Sequence, residues 1–159
     1  MTNAVKIALL PISYLYGLVT YFRNKFFDFG ILKEKKIDCH VIGVGNLAVG
    51  GAGKTPLVEY LINLLLLENK KIATLSRGYK RKTTGFVLAN NNSTAIDIGD
   101  EPLIYKTKYP IAVAVDANRN NGIKQLLLLD ELKINTILLD DVFQHRYVKP
   151  GLNICVSDY

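Results

Sequence analysis

A glycine-rich segment followed by Lys-Thr constrains this chain more than any other part of its sequence. The segment AVGGAGKT covers Ala48–Thr55, between an apolar run at Cys39–Val44 and a helical pattern at Pro56–Asn69. Glycines let the backbone bring its amides close to phosphate oxygens, and the N-terminus of a following helix adds partial positive charge. The strand, loop and helix together predict a P-loop that binds a nucleoside triphosphate.

The residues of this loop have expected roles in binding ATP. Lys54 would reach the β- and γ-phosphates, and the hydroxyl of Thr55 would be a ligand of Mg²⁺. The predicted ATP-binding residues are Ala48, Val49, Gly50, Gly51, Ala52, Gly53, Lys54 and Thr55. Ala48 stands where the strict pattern has glycine, and alanine is the smallest replacement. A dinucleotide-binding GxGxxG pattern from Gly43 is a weaker alternative, because its third glycine would fall on Ala48.

Apolar runs and helical periods alternate along the rest of the chain, which indicates an α/β fold with a mainly parallel sheet flanked by helices. Predicted strands lie at Cys39–Val44, Lys71–Leu75, Gly85–Ala89, Ile111–Val115, Ile134–Leu139 and Leu152–Val156. Predicted helices lie at Pro56–Asn69, Glu101–Lys108 and Asn118–Leu132, the last with Leu126–Leu129 on its buried side. The expected fold is therefore that of a P-loop NTPase.

The N-terminal region differs, because Ile7–Phe22 is an uncharged stretch of sixteen residues between Lys6 and Arg23. As a helix it would be roughly 24 Å long, short for a bilayer core of about 30 Å. A monotopic membrane helix, a helix packed on the soluble domain and a single span are the alternatives. We expect the first, because aromatic residues are abundant there. Residues 1–36 are predicted to be a membrane-associated helical segment with its connector, and residues 37–159 the P-loop core.

Carboxylates end one predicted strand and open one predicted helix. The apolar run Ile137–Leu139 is followed by Asp140 and Asp141, as in a strand that delivers a carboxylate to Mg²⁺ at the edge of a parallel sheet. The pattern does not say which of the two faces the metal. Gly99–Pro102 places two more carboxylates at a loop-to-helix junction. These could serve as a base and a metal ligand, or they could cap the helix.

Cationic side chains near the strand ends are candidates for contacting phosphate. Arg77 lies in the segment Ser76–Lys82, which follows a strand and carries four cations. A solvated loop explains that segment equally well. His145 follows the acidic strand, and a structural role suits it as well as a catalytic one.

Overall charge limits the classes of partner that are expected, and the cysteine spacing argues against a cysteine metal site. The net charge of +6 fits an anionic partner. The sequence has no RNA-binding pattern of aromatics between basic residues, no zinc finger and no basic helix, so nucleic acid is not expected. Cys39 and Cys155 have no metal-binding spacing and are expected to be reduced thiols.

Together these motifs resemble the lipid A 4'-kinase (tetraacyldisaccharide 4'-kinase) family. The resemblance covers essentially all of the chain, and its five segments have the order and spacing of the family. They are VGNLAVGGAGKTP (Val44–Pro56), LSRGYKRK (Leu75–Lys82), GDEP (Gly99–Pro102), DANR (Asp116–Arg119) and DDVFQHR (Asp140–Arg146). The resemblance implies transfer of the γ-phosphate of ATP to the 4'-hydroxyl of tetraacyldisaccharide 1-phosphate. It also implies an acylated disaccharide phosphate lipid and the inner-membrane surface as partners, at the cytoplasmic face of the bacterial inner membrane.

The same resemblance implies roles for individual residues. Asp100 would be the catalytic base that activates the sugar hydroxyl. The implied metal ligands are Thr55, Glu101, Asp140 and Asp141. Candidates for contacting substrate or phosphate are Arg77, Arg119, Gln144 and His145. ATP and Mg²⁺ are therefore the expected cofactors.

Two departures from the family qualify these expectations. Val142 stands where the family often has glycine, and family members are about twice as long as this chain. The absent half includes a histidine that the resemblance pairs with the catalytic aspartate. We therefore expect an N-terminal fragment that binds nucleotide weakly and does not turn over. The alternative functions are a P-loop NTPase of the switch or cofactor-insertion type and an inactive nucleotide-binding module.

Overall fold

The computed structural model describes residues 13–22, 25, 39–46, 53–142 and 148–157. The chain divides into two compact units, Met1–Glu34 and Lys35–Tyr159. The first unit contributes helix α1, described over residues 13–22. Among the helices that the structure describes, none is both long enough and apolar enough to cross a membrane.

The described residues of the second unit form an α/β fold around a six-stranded sheet. The strands are β1 (His40–Asn46), β2 (Ile72–Ser76), β3 (Val87–Leu88), β4 (Ala112–Val115), β5 (Thr136–Asp140) and β6 (Leu152–Val156). The helices are α2 (Lys54–Leu67), α3 (Ala95–Ile98), α4 (Asp100–Lys108) and α5 (Arg119–Leu127), and a 3₁₀ turn covers Asp130–Leu132.

The sheet is mainly parallel, as the alternating pattern predicted. Its strand order is β3-β4-β2-β5-β1-β6, and β3 alone among these strands runs antiparallel to its neighbour. Strand β5 lies between β1 and β2, with Asp140 opposite Val44. The strand that enters the glycine-rich segment therefore ends beside the strand that carries the acidic pair. Parallel strands share one carboxyl edge, which is where ligands bind in open α/β sheets.

Helices cover both faces of the sheet and form two apolar clusters. On one face, Val58 and Ile62 of α2 and Tyr105 of α4 pack with Leu138 of β5. On the other face, side chains of α5 pack with alternate residues of the same strand, including Ile137 and Leu139. Successive side chains of a strand point to opposite faces, so β5 is packed on both sides. This packing fixes the position of Asp140 at the end of the strand.

Helix α2 begins at Lys54, two residues before the predicted start at Pro56. Gly53 precedes it with φ 76°, a left-handed conformation that suits glycine, and no side chain caps the helix. Pro56 is the third residue of the helix, within the first turn, where backbone N–H groups have no partner inside the helix. The proline therefore sits inside the first turn rather than opening it.

The predicted end of α5 at Leu132 was wrong. The helix ends at Leu127, and Asp130–Leu132 form a separate 3₁₀ turn before Lys133 takes a left-handed φ of 48°. Leu126 is buried, but Leu128 is 71% exposed, so the leucine run is not one buried face. Composition favoured a longer helix, whereas the chain turns there to enter β5.

Two smaller differences concern the flanking elements. Strand β5 begins at Thr136 rather than Ile134. The short helix α3 was not predicted; it starts after Thr94, whose side chain accepts from the backbone N–H of Asp97, while the carboxylate of Asp97 accepts from the backbone N–H of Thr94. This reciprocal contact is a capping box, which stabilises the start of a helix too short to show a hydrophobic period.

Candidate functional site

A cavity of about 470 Å³ opens at the carboxyl edge of the parallel sheet, within the size range of small-molecule sites. It is lined by Lys54, Ser76, Arg77, Gly78, Tyr79, Lys80, Asp100, Glu101, Pro102, Arg119, Asp140 and Asp141. Seven of the predicted site residues therefore meet in one cavity, although they come from distant parts of the sequence: Lys54, Arg77, Asp100, Glu101, Arg119, Asp140 and Asp141.

An ion pair joins the lysine of the glycine-rich segment to the acidic strand end. Nζ of Lys54, at the start of α2, donates to Oδ1 of Asp141 at 2.5 Å. Asp141 has a left-handed φ of 62°, unusual for a residue other than glycine. Burial opposes the charge of Lys54, but the hydrogen bond and charge of Asp141, with the charges of Asp140 and Glu101, leave its pKa raised. The ammonium is thus held charged inside the cavity.

A second contact joins the first turns of α2 and α4. The hydroxyl of Thr55 donates to Oε1 of Glu101 at 3.3 Å. Both side chains are partly accessible to solvent. The predicted magnesium ligands of the two helices therefore lie together.

Asp140, the last residue of β5, is the most constrained carboxyl in the cavity. It is 3% exposed, and its Oδ2 lies 3.4 Å from the hydroxyl of Tyr105. Its Oδ1 is buried and has no hydrogen-bond partner among the described residues. Burial and the negative charge of Glu101 raise the pKa of Asp140 to about 6, against the opposing effect of Lys54. A buried oxygen without a partner is destabilising unless something binds it.

The donor set fits Mg²⁺, which prefers hard oxygen ligands. The free Oδ1 of Asp140, the hydroxyl of Thr55 and the carboxylate of Glu101 supply such oxygens. Within the described ranges, no group of three or more His, Cys, Asp or Glu residues is arranged to hold a metal ion. Magnesium in nucleotide sites is commonly held by one or two carboxylates together with phosphate oxygens and water.

Helix α4 presents Asp100 and Glu101 from its first turn. Gly99 occupies the N-cap position, and no side chain caps the helix there. The two carboxylates lie where the helix dipole favours negative charge, and both line the cavity. The two carboxylates therefore do not cap the helix through side-chain hydrogen bonds, and their contribution to the helix start is limited to this interaction with the dipole.

The loop that carries Arg77 packs closely against the start of α4. Gly99 has φ 94°, and a Cβ there would lie 2.9 Å from the carbonyl oxygen of Tyr79. Gly78 has φ 72°, and a Cβ there would lie 2.8 Å from the carbonyl oxygen of Ile98. These two glycines bring the backbones together, so that Arg77 and Asp100 line one cavity.

Arg119 is buried at the floor of the cavity. Its guanidinium donates to the backbone carbonyl of Asp116 and, at 3.3 Å, to that of Asp140. Burial lowers its pKa to about 10, although the charges of Asp140 and Asp141 oppose that effect. Its Nε has no partner among the described residues. Arg119 thus ties the ends of β4 and β5 together, in addition to lining the cavity.

Two supporting residues were given no role from the sequence, although Asp116 belongs to the DANR segment. Asp116 accepts from the backbone N–H of Asn118 and the side chain of Asn121, which fixes the start of α5. Tyr105 reaches Asp140 from the buried face of α4. The spacing of four residues between Glu101 and Tyr105, which places both on one helix face, was the available signal. The remaining predicted site residues lie outside the described residues: Ala48, Val49, Gly50, Gly51, Ala52, Gln144 and His145.

Comparison with known proteins agrees with this arrangement. Residues 5–159 match the family model of LpxK, tetraacyldisaccharide-1-P 4'-kinase. The chain is 56% identical to the tetraacyldisaccharide 4'-kinase of Bacteroides thetaiotaomicron over 95% of the chain and 40% of that protein. It is also 56% identical to the tetraacyldisaccharide 4'-kinase of Flavobacterium johnsoniae, over 99% of the chain and 46% of that protein.

A solved structure shares the fold. The crystal structure of LpxK from Aquifex aeolicus in complex with ATP superimposes with a TM-score of 0.81 at 42% identity, over 95% of the chain and 48% of that protein. The chain spans less than half the length of these three relatives. With its motifs, cavity and fold in agreement, the chain belongs to the tetraacyldisaccharide-1-P 4'-kinase family.

Proposed function

We propose that this chain forms the ATP-binding part of a kinase that transfers the γ-phosphate of ATP to the 4'-hydroxyl of tetraacyldisaccharide 1-phosphate, giving lipid IVA. One observation carries the proposal: Lys54, the acidic end of β5 and the first turn of α4 meet in a single cavity. A cation for phosphate, carboxylates for a metal and a further carboxylate for the acceptor are the parts that phosphoryl transfer requires.

Lys54 binds the β- and γ-phosphates in this proposal. Its ammonium already lies in the cavity, held by Asp141. When nucleotide enters, phosphate oxygens replace or share that carboxylate partner. Asp141 therefore orients the lysine before ATP arrives, and the left-handed backbone at Asp141 turns its side chain toward α2.

Asp140, rather than Asp141, faces Mg²⁺ in this proposal. The reason is that Asp141 contacts Lys54, whereas Oδ1 of Asp140 has no partner among the described residues. Thr55 and Glu101 complete the set of protein oxygens. Bound Mg²⁺ neutralises charge on the phosphates during transfer.

Asp100 accepts the proton of the acceptor hydroxyl. It lines the cavity from the first turn of α4, next to Glu101 but separate from the contacts around Asp140. Arg77 enters from the facing loop and contacts phosphate groups of substrate, and Arg119 supports the floor and adds positive charge. This division of roles supplies a base and a charge clamp in one site.

The unit that carries α1 serves membrane association at the cytoplasmic face of the bacterial inner membrane. Its described helix exposes a set of large apolar side chains: Tyr14, Leu15, Tyr16, Leu18, Val19, Tyr21 and Phe22. Aromatic and aliphatic side chains of this kind settle at a membrane interface. A membrane-bound enzyme would meet an acceptor whose acyl chains remain in the bilayer.

The test is phosphate transfer from labelled ATP to tetraacyldisaccharide 1-phosphate. The chain is assayed alone and joined to the C-terminal part of the Flavobacterium johnsoniae relative. We expect the joined protein to phosphorylate the lipid, and Asp100→Asn to lower kcat by about 10²–10⁴-fold, the usual contribution of a general base. Asp130→Asn, which changes an exposed carboxylate outside the cavity, is the matched control.

Each outcome of this assay has a definite meaning. Lipid phosphorylation that depends on Asp100 supports the proposal. Hydrolysis of ATP without transfer to the lipid would contradict the kinase proposal and favour a P-loop NTPase of the switch type.

A further inference from the structure

The hydroxyl of Tyr105 lies in an unusual place for a polar group. Tyr105 is 1% exposed and belongs to the apolar cluster between α2, α4 and the sheet. Phenylalanine would fill the same space without burying a hydroxyl, which destabilises a core unless the hydroxyl has a partner. The hydroxyl is therefore explained by what it contacts rather than by packing.

The hydroxyl hydrogen-bonds to the carboxylate of Asp140, and the side chain of Thr55 also lies within hydrogen-bonding reach of it. An ionised carboxylate only accepts hydrogen bonds, so the phenol donates to Oδ2, 3.4 Å away. This is a long hydrogen bond, and such bonds in ligand-free sites often tighten when substrate binds. It engages one carboxylate oxygen and leaves the other, Oδ1, without a partner among the described residues.

The geometry of α4 links this contact to Glu101, whose carboxylate is a second proposed ligand of the metal. Glu101 and Tyr105 are four residues apart on α4 and lie on one face of it. Glu101 accepts from Thr55, while Tyr105 donates to Asp140. One turn of α4 therefore sets the positions of oxygens from α2, α4 and β5 at the same time.

We infer that Tyr105 is a positioning residue for the magnesium site: its hydroxyl holds Oδ2 of Asp140 so that Oδ1 is presented to the cation. The inference rests on the proposed function, because it assumes that Mg²⁺ binds there with ATP. Residues that hydrogen-bond to a ligating carboxylate orient it, and their loss commonly weakens metal binding by about 10–100-fold.

The experiment is a magnesium titration of nucleotide binding. The probe is a fluorescent ATP analogue carrying an N-methylanthraniloyl group, bound to the full chain in EDTA and then at rising Mg²⁺ concentrations. For Tyr105→Phe we expect the apparent Mg²⁺ affinity to fall by about 10–100-fold. Affinity for the analogue in EDTA should not fall. The thermal unfolding temperature should fall only modestly, because Oδ2 of Asp140 loses its donor, and the variant should still unfold in one cooperative transition.

Tyr109→Phe is the matched control. Tyr109 follows the last residue of α4, and its hydroxyl accepts from the side chain of Asn63 at 3.4 Å, outside the cavity. Removing that hydroxyl should leave the Mg²⁺ titration unchanged. The contrast separates an effect at Asp140 from a general effect of losing a phenol hydroxyl on this helix.

A double substitution tests the route through Asp140. If Tyr105 acts by orienting that carboxylate, Tyr105→Phe should have no further effect on Mg²⁺ affinity in an Asp140→Asn background. An equal further loss there would overturn the inference, because the tyrosine would then act independently of the carboxylate.

The remaining outcomes separate this inference from the proposed function. An unchanged Mg²⁺ affinity in Tyr105→Phe, with normal Mg²⁺-dependent binding by the unsubstituted chain, would overturn the inference alone. Absence of Mg²⁺-dependent nucleotide binding by the unsubstituted chain would overturn both the inference and the proposed magnesium site.

Discussion

In the ligand-free protein Lys54 is paired with Asp141, so a phosphate that binds Lys54 would have to compete with this carboxylate. The two side chains lie on elements 87 residues apart in sequence, and their contact at 2.5 Å leaves the ammonium in the cavity. A comparable pair, Lys108 with Glu59 at 2.7 Å, lies outside the cavity. One lysine–carboxylate pair thus lies inside the cavity and another lies outside it.

Replacing Lys54 with alanine should weaken ATP binding. A charge-assisted hydrogen bond contributes about 1.5–3 kcal/mol, so we expect a loss of roughly tenfold to a hundredfold in affinity. Titration calorimetry of the purified chain measures it, with Lys108→Ala as the control. Unchanged affinity in Lys54→Ala would remove the P-loop assignment.

Asp140 makes stability depend on pH in a direction opposite to that of most carboxylates. Folding raises its pKa from 3.8 to about 6, so the folded chain binds this proton more tightly than the unfolded chain. The contribution of this proton to the free energy of unfolding is fully present below about pH 4 and is lost as the pH rises through about 6. At neutral pH the buried carboxylate therefore destabilises the ligand-free protein.

Asp140→Asn should remove this dependence. Relative to the variant, the unsubstituted chain should lose on the order of 1–3 kcal/mol of unfolding free energy between pH 4 and pH 7. Urea unfolding at several pH values, without Mg²⁺ or nucleotide, measures the difference, and Asp130→Asn is the exposed control. A difference between Asp140→Asn and the unsubstituted chain that stays constant with pH would contradict the prediction.

At the scale of elements, α4 organises the site. Its first turn supplies Asp100 and Glu101, its second turn supplies Tyr105, and its N-cap Gly99 packs on the loop that carries Arg77. A helix of nine residues thus connects the proposed acceptor side of the cavity to the proposed metal side. The two glycines at its N-terminal contact decide how closely these parts approach.

Gly99→Ala should destabilise the fold more than Gly85→Ala. Both glycines have positive φ, but a Cβ at Gly99 would overlap the backbone of Tyr79, whereas Gly85 has nothing within 4 Å. We expect about 1 kcal/mol for the conformational penalty at Gly85 and about 3 kcal/mol at Gly99, where ψ 163° makes the backbone almost exclusive to glycine. Chemical denaturation measures the free energy of unfolding of both variants. Equal decreases would contradict the prediction, because the backbone of Tyr79 would then accommodate a Cβ at Gly99 at no cost.

At the scale of the whole molecule, the two units of the chain have different surfaces. The second unit buries its apolar side chains on both faces of a sheet, whereas α1 exposes most of its own. An exposed set of this kind is typical of a surface that meets a partner or a membrane. The proposed partner is the bilayer that holds the acceptor lipid.

Replacing Leu15 and Val19 of α1 with aspartate should weaken membrane binding. Burial of one such side chain contributes about 1.5–3 kcal/mol, so loss of two should lower vesicle binding by more than tenfold, as should deletion of residues 1–25. Cosedimentation with phosphatidylethanolamine–phosphatidylglycerol vesicles measures it. Leu67→Asp with Leu128→Asp, at exposed positions of the other unit, is the control. Persistent cosedimentation of the α1 variants would refute the anchor.

The sequence by itself determined the order of elements and the residue types of the site. Periods of two and 3.6 are set by near neighbours, so the parallel strands and most helices could be predicted, and the glycine-rich segment and strand-end carboxylates could be assigned from local chemistry. The motifs Gly99–Pro102 and Asp140–Arg146 also identified the family. The end of α5 could not be predicted, because its leucine run continues past the point where the chain turns.

Only the tertiary structure separated Asp140 from Asp141. The two are adjacent in sequence, but one is fixed by a tyrosine 35 residues away and the other by a lysine 87 residues away. The left-handed φ of Asp141 directs the pair to different partners. Contacts of this range depend on how helices pack on the sheet, which no local pattern records. The close approach at Gly99 has the same origin, since it requires the facing loop as well as the helix.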